Sequence, residues 1–273
     1  MPVRTPMMRI WYACRGETYE GGKMAGSERH IVAIGGAGLS VEDGLQLERY
    51  ALGLAKKDRP RVCYIGTASA DREEGRERFY NAMSILGAEA SHLALLPNPN
   101  TADPASVLLK QDVIYVGGGN SKNLMALWQA WGIDHLVRAA WEAGTVLAGV
   151  SAGSLCWFEE GTTDSVPGKL TAYQYLGFLS GSHCPHYDSE PERRPLYRRL
   201  VGAGLMLPGY AADDGVGLHF AGTELHRIVS SRPDARGWRM ERDENGFVET
   251  AIVPEYLGGT STSTESIYGE QNA

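Results

Sequence analysis

The sequence predicts an α/β fold: a single domain in which a mainly parallel sheet is flanked by helices, with a small antiparallel sheet region besides. Two observations carry that expectation. Short apolar runs recur along the first half of the chain, each continuous rather than alternating, as strands covered on both faces require. Most end at small residues and lead into a longer stretch of helical composition, which is the order of a βα series. A chain of 273 residues, 43% hydrophobic and 22% charged, is long enough to bury one sizeable core.

Taken in order, the run at 31–34 ends in Gly35-Gly36 and precedes a helical stretch over 41–55. The run at 61–65 ends in Gly66-Thr67-Ala68 and precedes a helix over 73–86. Residues 90–95 read as a third strand. Residues 112–116 form a fourth, ending in Gly117-Gly118-Gly119-Asn120 ahead of a helix over 124–131. Residues 145–148 form a fifth, with 155–158 continuing as a helix. Further on, 218–220 and 228–231 read as shorter strands of another sheet region, and 237–253 as a polar hairpin turning at Glu244-Asn245-Gly246. The domain is expected over 29–257. Residues 1–28 and 258–273, rich in Gly, Ser, Thr and Glu, are expected to be disordered tails.

A net charge of −7 argues against nucleic acid as the main partner. No apolar stretch approaches the ~20 residues of a membrane helix, and the first residues lack the apolar core of a secretory signal. The four cysteines show no C-x-x-C pairing, and Cys63 and Cys156 lie in apolar segments, so reduced thiols in a cytoplasmic protein are expected.

The chemistry concentrates in three segments. Gly149-Val150-Ser151-Ala152-Gly153 is a G-x-S-x-G pentad placed where a strand should turn into a helix. A nucleophile elbow needs small neighbours because its serine occupies a strained turn, and it needs a helix start so that backbone N–H groups face a developing oxyanion. The same pentad also suits an ordinary small-residue turn with an N-cap serine. The three glycines 117–119 leave N–H groups bare at a neighbouring strand end. They fit part of an oxyanion hole or a tight turn, whereas a phosphate loop would require a following G-K-[ST]. Ser182-His183-Cys184-Pro185-His186-Tyr187-Asp188 offers a histidine base on a non-helical segment. It also offers metal-ligand residue types, but no second ligand cluster accompanies them and no metal is expected.

Together, Tyr-Val-Gly-Gly-Gly-Asn, Gly-Val-Ser-Ala-Gly-Ser and Gly-Ser-His-Cys-Pro-His-Tyr resemble the peptidase E (alpha-aspartyl dipeptidase) family over about residues 29–256. That family is related to cyanophycinase and, in its flavodoxin-type fold, to class I glutamine amidotransferases. The resemblance implies Ser151 as nucleophile, His186 as general base, and an oxyanion hole from Gly118, Gly119 and Ala152, without a cofactor. His183 is then structural. For the acid that orients the base, the resemblance points to Asp164, one residue out of register with the family's Thr-Thr-Asn-Asp segment. Asp214 is the alternative acid, with Asp188 and Glu190 behind it. Serine at the elbow, where the amidotransferases have cysteine, argues against glutaminase chemistry.

Asn120 and Arg193 are the implied substrate-binding residues. Arg193 opens a segment with four arginines in seven positions, and a guanidinium fork suits a carboxylate. Arg194, Arg198 and Arg199 read instead as a solvated helix face. The implied activity is hydrolysis of Asp-X dipeptides, so the expected partner is a small acidic peptide, and a homodimer is the assembly considered. A cyanophycinase-like hydrolase of β-aspartyl-arginine is the alternative, with Asp188, Glu190 or Glu192 receiving the guanidinium. An α/β-hydrolase esterase is disfavoured by the roughly 120 residues that follow the serine. An inactive binding module on the same scaffold is the alternative of another class.

Overall fold

The computed structural model describes residues 28–258 apart from Asn245. The tails expected at 1–28 and 258–273 therefore lie, but for their innermost residues, outside the described residues, as does the middle of the 244–246 turn. A parallel series forms the centre. It comprises β1 (His30–Ile34), β2 (Arg61–Ile65), β3 (Glu89–Leu93), β4 (Val113–Val116) and β5 (Val146–Val150). All but β3 are almost wholly buried, which is why their runs are apolar at every position rather than at alternate ones.

The helices between them are α1 (Gln46–Gly53), α2 (Glu73–Leu86), α3 (Pro104–Leu108), α4 (Ser121–Trp131) and α5 (Ile133–Glu142). Each of α2 and α4 stops at a left-handed glycine, Gly87 and Gly132. The helix expected from residue 41 begins only at Gln46. Gly44 and Leu45 both have positive φ, so the chain turns there before the helix can start.

After β5 a single turn of helix, α6 (Ala152–Leu155), leads into β6 (Phe158–Val166), β7 (Lys169–Gln174) and β8 (Leu179–Cys184). Next come α7 (Arg193–Gly202), β9 (Gly209–Ala212), β10 (Val216–Ala221) and β11 (Glu224–Ser230). The described chain closes with β12 (Gly237–Asp243), β13 (Gly246–Ile252) and β14 (Glu255–Tyr256). The main sheet has the order β14-β11-β10-β1-β5-β4-β2-β3. Residues 218–220 and 228–231, expected in another sheet, instead extend this one, β10 pairing antiparallel with β1. The second sheet, β13-β12-β9-β8-β6-β7, is larger than expected and mixed: β8 runs parallel to both neighbours, and β12–β13 is the expected antiparallel hairpin.

Trp128, Trp157, Phe158 and Phe178 fill the core between α4, α5 and the two sheets, while Phe79, Tyr64 and Tyr115 pack the opposite face of the main sheet under α2. The adjacent parallel strands β4 and β5 end side by side at the carboxyl edge, which is where open α/β sheets place their ligands.

Candidate active site

Ser151 sits at the end of β5 with φ 55° and ψ −114°, a conformation that a non-glycine residue holds only when its surroundings enforce it. They do so here through backbone bonds. The Ser151 N–H donates to the Ile34 carbonyl at 3.0 Å, and the Ser154 and Leu155 N–H groups donate to the Ser151 carbonyl at 2.9 Å. The small residues around it are a steric requirement: a Cβ on Gly153 would lie 2.1 Å from the Val116 carbonyl oxygen, and one on Gly149 2.3 Å from the Gly153 carbonyl oxygen. This is the geometry of a strained elbow rather than of an ordinary N-cap, and the Ser151 side chain makes no capping bond.

The Ser151 hydroxyl lies 2.8 Å from His186 Nε2, to which it can donate, and His186 Nδ1 lies 2.7 Å from Asp214 Oδ1, to which the ring N–H donates. That second bond fixes the tautomer that leaves Nε2 free to accept. His186 is itself at positive φ, 54°. Burial alone would raise the Asp214 carboxyl, but the His186 hydrogen bond and charge, with Arg232 beyond, bring it below its usual range, so it stays ionised at neutral pH. Asp188 accepts from the Asp214 N–H at 2.8 Å, and Arg232 bridges the Asp188 carboxylate and the Asp214 carbonyl at 2.9 and 3.0 Å. Asp188 thus braces the acid rather than replacing it.

Asp164, the acid first expected to orient His186, lies elsewhere. It is on β6 with its side chain 65% exposed, and its carboxylate is 3.4 Å from Arg193 Nη2. Asp214 takes the place because the β9–β10 turn is pinned against the end of β1: Gly35 N–H donates to Val216, Gly215 N–H to Gly36, and Tyr187 N–H to Ala212. Gly36 is a site residue missed in the sequence, since a Cβ there would lie 1.8 Å from Asp214 Oδ1 and 2.6 Å from His186 Nδ1. Its signal was the glycine pair closing β1.

Gly118 backs directly onto the serine; a Cβ there would lie 3.2 Å from Ser151 Cβ and 3.8 Å from its Oγ. Gly119 has φ 136° and packs so tightly on the 67–69 turn that a Cβ would lie 2.3 Å from the Ala68 carbonyl oxygen. Ala152 opens α6, so its N–H has no partner within the helix. Of the three groups expected to form an oxyanion hole, Gly118 and Ala152 adjoin the serine, while Gly119 packs on the 67–69 turn beyond Gly118.

The two expected substrate-binding residues are committed to the scaffold. Asn120 caps α4, accepting from the Asn123 N–H at 2.9 Å and donating to the Ser165 carbonyl at 2.9 Å. Arg193 is only 2% exposed: it donates to Glu190 at 2.7 Å and to the Thr162 carbonyl at 3.1 Å, besides its contact with Asp164. Arg193→Ala is accordingly expected to destabilise the fold by about 1–3 kcal/mol, since it removes a buried side chain and leaves the Thr162 carbonyl without its donor, while Glu190 and Asp164 can turn to solvent. A thermal melt checks it, and no selective loss of acidic over neutral substrates should accompany the change. Arg194 and Arg198 are held by Glu249. His183 is fully buried, with Nδ1 3.1 Å from the Tyr210 carbonyl oxygen and Nε2 3.1 Å from the Ser154 hydroxyl, and burial pushes it down to about 3.

A cavity of about 350 Å³ opens beside Ser151, between the 37–39 loop, Gly117-Gly118 and the start of α2. Buried Glu48 fixes that loop by accepting from the Leu39 N–H at 2.6 Å and the Tyr115 hydroxyl at 3.0 Å. Among the described residues no group of three or more His, Cys, Asp or Glu side chains is arranged to hold a metal ion, and no helix is long and apolar enough to cross a membrane.

An elbow serine at the carboxyl edge of a parallel sheet, hydrogen-bonded to a histidine, defines the serine-hydrolase class. Residues 31–228 match the model of peptidase family S51, and the chain belongs to that family, a family of serine peptidases. It is 48% identical over 231 residues to the uncharacterized peptidase YgaJ of Bacillus subtilis, an alignment spanning 84% of this chain and all of that one. A second relative, the uncharacterized peptidase Lmo0363 of Listeria monocytogenes, is 26% identical over 141 residues, 48% of this chain and 67% of that one.

Two solved structures share the fold at 18% identity. One is a peptidase from an acI-B1 Actinobacterium (TM-score 0.59, 84% of this chain and 96% of that one). The other is a putative peptidase E protein from Listeria monocytogenes (TM-score 0.54, 82% and 99%). Membership agrees with the resemblance drawn from the three motifs.

Proposed function

We propose that the protein is a dipeptidase that releases an N-terminal aspartate from short peptides through an acyl-enzyme on Ser151. The observation that carries the mechanism is the continuous hydrogen-bonded chain from the Ser151 hydroxyl through His186 to Asp214. Ser151 Oγ attacks the scissile carbonyl carbon as its proton passes to His186 Nε2, and the Asp214 carboxylate stabilises the imidazolium so formed. The amides of Gly118, Gly119 and Ala152 receive the oxyanion of the tetrahedral intermediate. Its collapse breaks the C–N bond as His186 returns the proton to the leaving amine. Water, deprotonated by the same nitrogen, then attacks the ester and frees Ser151. Acidic selectivity is supported by the motif resemblance and by the two arginines that line the cavity beside the serine.

The β-aspartyl-arginine reading has less support. Asp188 is paired with Arg232 and Glu190 with Arg193, so two of the three carboxylates considered for a guanidinium are already occupied. The test is a panel of Asp-X, Glu-X, Asn-X and β-Asp-Arg dipeptides read by amine release. Asp-X peptides should be cleaved fastest, and a β-Asp-Arg peptide leading the panel would overturn the specificity.

A further inference from the structure

We infer that Arg72 and Arg78 select the substrate by binding its carboxylate in the cavity beside Ser151, the role that Arg193 is too deeply committed to fill. The inference rests on the Ser151 reading above. Arg72 immediately precedes α2 and Arg78 lies within its second turn, and both line the cavity that also contains Ser151 and Gly118. Among the described residues neither guanidinium has an ion-pair or hydrogen-bond partner. The other arginines near the site are occupied, Arg193 by Glu190, Arg194 and Arg198 by Glu249, and Arg232 by Asp188.

The cavity's charged side chains are these two arginines and Glu74, so it is net positive in a protein whose overall charge is −7. A cationic pocket in a protein of net negative charge concentrates anions at that point. A guanidinium presents a planar fork of donors that matches a carboxylate, and both arginines are exposed and free to turn toward one. Gly75 helps to bring this end of α2 close to the sheet, since a Cβ there would lie 2.9 Å from the Tyr64 hydroxyl. The carboxylate that fits is either the side chain of an acidic residue or the free C-terminus of a dipeptide.

The test measures how strongly peptides protect Ser151 from a fluorescent fluorophosphonate, in the parent protein and in the Arg72→Gln/Arg78→Gln double variant. Both positions are exposed, and a thermal melt checks that the variant is folded. Asp-Leu, Asn-Leu and Asp-Leu amide serve as competitors. The concentration of Asp-Leu giving half-protection should rise at least about tenfold in the variant, the effect of losing one hydrogen bond to a charged group. If Asn-Leu is unaffected, the side-chain carboxylate is what is bound. If Asp-Leu and Asn-Leu both weaken while the amide does not, it is the C-terminal carboxylate. Either pattern supports the inference. No protection by Asp-Leu in the parent, equal weakening of all three peptides, or no change in any overturns it. Failure of the parent to label at Ser151 instead overturns the nucleophile assignment on which the inference depends.

Discussion

Ser151→Ala is expected to lower kcat by about five to six orders of magnitude while the protein remains folded. The substitution deletes one hydroxyl, whose partner is His186, and keeps the Cβ and the backbone bonds to Ile34, Ser154 and Leu155 that hold the elbow. The stability change should therefore stay near the ~1 kcal/mol of a single hydrogen bond. Steady-state turnover and a thermal melt check the two halves separately. Residual activity above about one percent of the parent would exclude Ser151 as the nucleophile. A collapsed melt would show instead that the hydroxyl supports the fold.

Asp214→Asn should cost about four orders of magnitude in kcat. An amide at that position can present its NH2 to Nδ1, which favours the tautomer with the proton on Nε2, so the histidine can no longer accept from Ser151. The neutral side chain also fails to stabilise the imidazolium. Asp164→Asn should change kcat little by comparison, since that carboxylate is mostly exposed and pairs with Arg193 rather than with His186. The comparison is informative because the two residues were rival assignments for one role. Measuring kcat for both variants, with their melts, decides it, and a larger loss at Asp164 would move the orienting acid to β6.

The central strands were legible because strands covered on both faces must be apolar at every position, and their glycine ends mark the carboxyl edge of the sheet. The elbow was legible for a related reason: Gly149 and Gly153 are required by backbone atoms only 2–3 Å from where their Cβ atoms would sit. What local pattern could not convey was long-range pairing. Residues 218–220 form an equally short strand in either sheet. Only their pairing with β1 places them in the main one, and the same pairing carries Asp214 to His186. Asp164 is implied only by the resemblance of its Thr-Thr-Asp segment to the family's motif, whereas selection of the acid is made by two turns meeting at Gly36. Arg193 illustrates the converse error. The resemblance implies a substrate-binding fork at its position, yet α7 turns it inward onto the Thr162 carbonyl, where Glu190 neutralises it. Arg72 and Arg78, isolated in a mixed-charge helix start, carried no comparable signal.

Turnover is expected to pass through an ester on Ser151. Intact-protein and peptide mass spectrometry of an acid-quenched reaction with an aspartyl p-nitroanilide tests it most directly. An aspartyl adduct on Ser151 is expected in the parent, and no adduct at position 151 in Ser151→Ala. An unmodified Ser151 at every quench time, with nitroaniline release continuing in Ser151→Ala, would contradict it.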